Sequence, residues 1–151
     1  MDGMMNETVV EEIQYIVIRI GDEQYGINIG YVDNIVRMQR ITRVPKSQPY
    51  YVGVINLRGV VIPVLSMRLR MNLDEDVITK STRIIVVNLE QEGNVGFIVD
   101  DVKEVVSLNV DDIDKIAVNS KEGKANLINA VGKHNGELIS LFDLNAISLE
   151  A

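Results

Sequence analysis

The chain contains no cysteine and no tryptophan, a single histidine, three prolines, and only two phenylalanines and five tyrosines among its 151 residues. Without cysteine there are no disulfides, thiol nucleophiles or cysteine-type zinc sites, and a reducing, cytoplasmic compartment is the expectation. The lone His134 precedes Asn135-Gly136, a turn pattern, and has no second histidine or cysteine with which to form a nucleophile pair. The longest strongly apolar run, Val60 to Leu65, contains Pro63 and is far shorter than the ~20 residues that cross a bilayer, so no membrane insertion is expected. Positive charge is in deficit: 15 Lys and Arg against 22 Asp and Glu give a formal charge of −7. Counterion release therefore favours neither nucleic acid nor an anionic membrane surface as a partner.

Motifs that carry chemistry are also missing. No glycine-rich phosphate loop occurs, and Gly93-Asn94-Val95-Gly96 reads as a turn entering a strand. Asp111-Asp112-Ile113-Asp114 offers oxygen ligands but lacks the remaining spacing of a calcium loop. Asp100 and Asp101 are adjacent, and neighbours on an extended chain point to opposite faces, so they are poorly placed to share a proton. No catalytic residue, metal or cofactor is expected, and the chain is not read as an enzyme.

What is present is a β pattern. Short runs rich in Val and Ile, bounded by Gly, Asn, Asp or Pro, predict strands at Ile13–Ile20, Gln24–Ile29, Val52–Leu57, Val60–Leu65, Thr82–Leu89, Val95–Val99, Val102–Leu108, Leu127–Val131 and Leu138–Phe142. Turns fall at Gly21-Asp22-Glu23, Arg58-Gly59 and His134-Asn135-Gly136. Two helical pieces interrupt the pattern. Tyr31-Val32 and Ile35-Val36 repeat at a spacing of four, and Ser66 can cap a turn through Met67 and Leu69. Asp143 can cap a final short helix with Leu144 and Ile147 inward. Residues 1–12 carry four acids, no base and no apolar stretch, and read as a disordered leader.

Charge is segregated along the chain. Residues 31–70 hold seven basic groups and one acid, whereas residues 71–122 hold twelve acids and five bases. Such a split reads either as two solvated faces or as complementary docking surfaces for other proteins.

The chain also echoes itself. Tyr25 to Val36 aligns with Val95 to Val106 at an offset of 70, Gly26 meeting Gly96. Gly59 to Met67 aligns with Gly136 to Leu144 at an offset of 77, the capping residues Ser66 and Asp143 coinciding. The two related strand sets predict a mainly all-β fold of two small antiparallel barrel subdomains, intertwined, at about residues 13–80 and 81–151.

Gly53-Val54-Ile55-Asn56-Leu57-Arg58-Gly59 followed by Ile62-Pro63-Val64 resembles the signature of the CheW family of bacterial chemotaxis adaptors. Gly21 to Ile27 and Val95 to Asp100 are similar to that family's two barrel entrances, and the likeness spans about Ile13 to Leu149. The resemblance implies SH3-like barrels, no enzymatic activity, and a stand-alone coupler between methyl-accepting chemotaxis receptors and the regulatory domain of the histidine kinase CheA, held at receptor arrays on the inner membrane face through these partners. It implies a receptor-facing groove at Asn56, Leu57, Arg58 and Gly59 with Val99 and Asp100 across from them, and a kinase-facing surface over Tyr31, Val32, Asn34, Ile35 and Val36. The chain departs from the common family pattern at Asn34, Ser66 and Asn129, where Glu, Asp and Gly are usual. A small-molecule or oligonucleotide-binding barrel is the alternative, with few aromatic platforms to support it.

Overall fold

The structure is a computed structural model that describes residues 11–45, 48–90, 92–115 and 127–147. It is built from β1 (Glu12–Ile20), β2 (Glu23–Asn28), β3 (Val32–Arg37), β4 (Tyr51–Leu57), β5 (Val60–Ser66), the single-turn helix α1 (Met67–Arg70), β6 (Arg83–Leu89), β7 (Gly93–Val99), β8 (Asp101–Asn109), β9 (Ile113–Lys115), β10 (Ile128–His134) and β11 (Glu137–Phe142). Short 3-10 turns precede β3 and β9, and another follows β11. Local chemistry closes the helical turns as expected. The Ser66 hydroxyl accepts from the Leu69 amide at the start of α1, and Asp143 accepts from the Asn145 amide at the last turn, which buries Leu144 and Ile147. Of the leader, residues 1–10 lie outside the described residues, and Glu12 already belongs to β1.

The expected helix at Tyr31–Val36 is not formed. A 3-10 turn at Ile29–Tyr31, its first turn capped by Asn28, runs directly into strand β3. The apolar positions Val32 and Val36 sit four apart, which suits two strand repeats as well as one helical turn. Pairing with β6, Val36 opposite Ile84 and Ile35 opposite Ile85, decides in favour of the strand.

The strands form two sheets, in the orders β8-β1-β2-β11-β10-β9 and β3-β6-β7-β5-β4. The fold is all-β, and neither sheet closes into a complete hydrogen-bonded barrel. The internal echo is visible in the pairing: β2 lies parallel to β11 with Gly26 opposite Leu141, and β7 lies parallel to β5 with Gly96 opposite Val64. These are the positions that the offsets of 70 and 77 relate. The two sheets do not divide the chain near residue 80, because the first two strands leave their own repeat and join β8 to β11. The repeats are thus sequential in the chain, whereas the sheets exchange strands between them.

Exchange explains the core. Alternate residues of β1 serve two layers: Tyr15 and Val17 pack with Val106, Leu108, Ile139 and Leu141, while Ile16, Ile18 and Ile20 face a shared core with Phe97 and Leu65. In β6, Ile84 and Val86 join Ile55, Ile62 and Ile98, while Ile85 and Val87 face the shared core. Tyr25 and Phe142 stack there, ring centroids 5.1 Å apart. Both faces of the central strands are dry, which is why they read as continuous apolar runs.

Candidate functional site

The β4–β5 hairpin is closed by a two-residue turn in which Arg58 has φ 55° and Gly59 φ 83°. Positive dihedrals at both centres match the twist of the flanking strands, and Asn-Gly is the favoured pair for such a turn. The β10–β11 hairpin uses that pair, Asn135 at φ 50° and Gly136 at φ 80°. Arginine in the corresponding place pays roughly 1–2 kcal/mol of backbone strain. Asn56 supports the turn from inside, its Oδ1 accepting from the Gly59 amide at 2.9 Å. Leu57 packs under the hairpin beside Ile55 and Ile62. Arg58 is exposed and makes no ion pair among the described residues, and Val60 and Val61 beside it are 53% and 62% exposed. The tip therefore offers a free guanidinium flanked by two uncovered valines.

Val99 and Asp100 do not lie across from this tip. Parallel pairing sets Ser66 opposite Ile98, so the turn before Val60 and the residues after Ile98 occupy opposite ends of the strand pair, separated by about 20 Å of strand rise. Val99 is fully buried in the shared core. Asp100 is instead a clamp between the sheets. Its Oδ1 accepts from Arg68 Nε at 2.9 Å, and its Oδ2 from Arg68 Nη2 at 2.6 Å and from the Gly21 amide at 2.9 Å. Arg19 Nη1 stands 3.7 Å away, itself held by the Gly21 carbonyl. Burial acts to raise the Asp100 pKa, but hydrogen bonds from Arg68 and Gly21, with the charges of Arg68 and Arg19, outweigh it and leave the carboxyl below its ordinary value. One carboxylate thus ties the β1–β2 turn to α1.

Of the kinase-facing candidates, Tyr31 and Val32 pack against the shared core and Val36 against the core beneath β4 and β5. Asn34 is half-buried, its Oδ1 accepting from the Ile35 amide. Ile35, with Asp33, faces solvent. Among the described residues β3 is the outermost strand of its sheet, so it presents an uncovered backbone edge together with Ile35.

Arg68, Arg19 and Asp76 did not stand out from the sequence. Arg68 and Asp100 are 32 residues apart, and no local pattern signals their meeting. Asp76 accepts a hydrogen bond from the Ser66 hydroxyl, and burial pushes its pKa up despite that bond.

Comparison with known proteins agrees with this architecture. The CheW-like domain family matches residues 14–150. The chain is 36% identical over 132 residues to a chemotaxis protein CheW of Bacillus subtilis (strain 168), covering 87% of this chain and 84% of that one. It is 34% identical over 145 residues to a chemotaxis protein CheW of Helicobacter pylori, covering 96% and 87%. The crystal structure of the scaffolding protein TtCheW from Thermoanaerobacter tengcongensis superposes with a TM-score of 0.80 at 26% identity, covering 88% of this chain and 90% of that one. With its exchanged sheets and its Asn-Leu-Arg-Gly hairpin, the chain belongs to the CheW-like family of chemotaxis scaffold proteins.

Proposed function

We propose that the protein is a non-enzymatic cytoplasmic adaptor that couples the tips of methyl-accepting chemotaxis receptors to the regulatory domain of the histidine kinase CheA. The observation that carries this reading is the β4–β5 tip, where Arg58 is kept in a strained backbone conformation, exposed, beside uncovered Val60 and Val61. Strain retained at an exposed position points to a role outside the fold. In this reading Asn56 and Gly59 shape the receptor-contacting tip and Leu57 anchors it, while Asp100 acts indirectly by fixing the two sheets together. The edge strand β3, with Ile35 outward, faces the kinase.

Co-sedimentation tests the proposal. Receptor cytoplasmic fragments clustered on vesicles retain CheA when the protein is added and lose it when Arg58→Ala replaces the parent. Equal kinase retention without the protein, or a thermal shift with nucleotides or oligonucleotides instead of with the two protein partners, would overturn it.

A further inference from the structure

Arg37 of β3 lies directly opposite Arg83 of β6. Facing residues on adjacent strands project to the same side, and like charges in that arrangement repel. Lys80 joins them around a pocket of about 370 Å³ whose other walls are Met38, Thr79 and Thr82, with no carboxylate in the lining among the described residues. None of the three cations makes an ion pair among the described residues.

The cluster is also held in place. Arg83 Nη1 donates to the carbonyls of Lys80 at 2.7 Å and Thr82 at 2.9 Å, which fixes the guanidinium and leaves its other donors available. The loop beneath is fastened by the Thr79 amide on Thr82 Oγ1 at 2.9 Å and the Ser81 amide on Thr79 Oγ1 at 3.1 Å. A preset guanidinium fork is suited to a planar carboxylate. Ile35 lies two residues before Arg37 on the same face of β3 and is 38% exposed. Apolar surface continuous with the cations, on a strand whose outer edge has no neighbouring strand among the described residues, suits a protein segment better than a free ion.

We propose that Arg37, Lys80 and Arg83 form a receiving site for the carboxylate of an acidic side chain in a protein partner, with Ile35 taking an apolar neighbour of that side chain. The site lies on the β3 edge that the adaptor reading turns toward the kinase and rests on that reading only for which protein supplies the segment, the acidic chemistry being tested separately below.

The test uses the full chain, labelled with ¹⁵N, and a capped Glu-Glu-Leu-Glu-Glu peptide as probe. Amide shifts are expected at Ile35, Arg37, Lys80, Thr82 and Arg83, weakening with added salt. Arg37→Glu places unlike charges opposite each other, so it melts no lower than the parent while binding the peptide at least about tenfold more weakly; Arg37→Gln checks that the loss follows charge. Peptide shifts absent from the pocket, or equal peptide affinity in Arg37→Glu, would refute the site. Inorganic phosphate reproducing the same shifts at the same concentration would make it a general anion site and likewise refute the proposal.

Discussion

Arg68 grips Asp100 through two nitrogens, Nε at 2.9 Å and Nη2 at 2.6 Å, and so fastens the helical turn after β5 to the crossing between the two sheets. Both side chains are largely covered, 21% and 12% exposed. Arg68→Ala is expected to lower stability by about 1.5–3 kcal/mol, the range for a charged hydrogen-bonding group that loses its partner. Arg68→Lys should recover only part, because an ammonium cannot reproduce the fork. A double-mutant cycle with Asp100→Ala in urea checks this, and a coupling below about 0.5 kcal/mol would show that the pair is incidental.

The two shifted carboxyls predict opposing pH effects. Asp100 is depressed, so its contribution is present above the ordinary aspartate value, about 3.9, and is lost as pH falls through the lower folded value. Asp76 is raised by burial, so the fold gains stability as pH falls through its folded value toward that same ordinary value. Asp76→Asn keeps an acceptor for Ser66 and removes a buried charge. It should be more stable than the parent at pH 7, with the advantage vanishing below about pH 4. Asp100→Asn should be less stable at pH 7 and show a shallower loss in acid. Urea midpoints across pH 3–8 for the three proteins decide both claims.

Arg58→Asn places the preferred residue in a turn whose counterpart at Asn135-Gly136 already has it. Stability should rise by about 0.5–1 kcal/mol as the strain is relieved, whereas affinity for receptor or kinase should fall at least about tenfold. Arg58→Ala, which keeps the positive dihedral, should leave stability within about 0.5 kcal/mol and weaken binding similarly. Unchanged binding in both variants would remove Arg58 from the interface.

Gly53 lies where Thr42 forms a bridge to Val54, with amide–carbonyl bonds of 2.8 Å in each direction. A Cβ at Gly53 would stand 2.2 Å from the Thr42 carbonyl oxygen. Backbone cannot yield as a side chain can, so Gly53→Ala should destabilise by at least about 3 kcal/mol, at the upper end for overpacking. A melting temperature within a degree or two of the parent would show that the segment around Thr42 detaches at little cost.

The sequence alone determined the local chemistry: β-branched runs made strands, Arg58-Gly59 and Asn135-Gly136 made turns, and Ser66 and Asp143 capped the helical turns, because each depends on residues a few positions apart. The repeat offsets likewise matched positions that pair equivalently, Gly26 with Leu141 and Gly96 with Val64, and the Asn56-Leu57-Arg58-Gly59 hairpin announced the family. Tertiary structure decided what long-range pairing alone can set. Whether Tyr31–Val36 was helix or strand depended on β6, which lies about fifty residues further along the chain. Which strands shared a sheet depended on the exchange of β1 and β2, since Val- and Ile-rich strands of similar length carry little local information about their neighbours. The partner of Asp100 proved to be Arg68 and the neighbour of Arg37 proved to be Arg83 for the same reason: charges meet where strand register brings them, and register is set by burial of apolar faces across the whole fold.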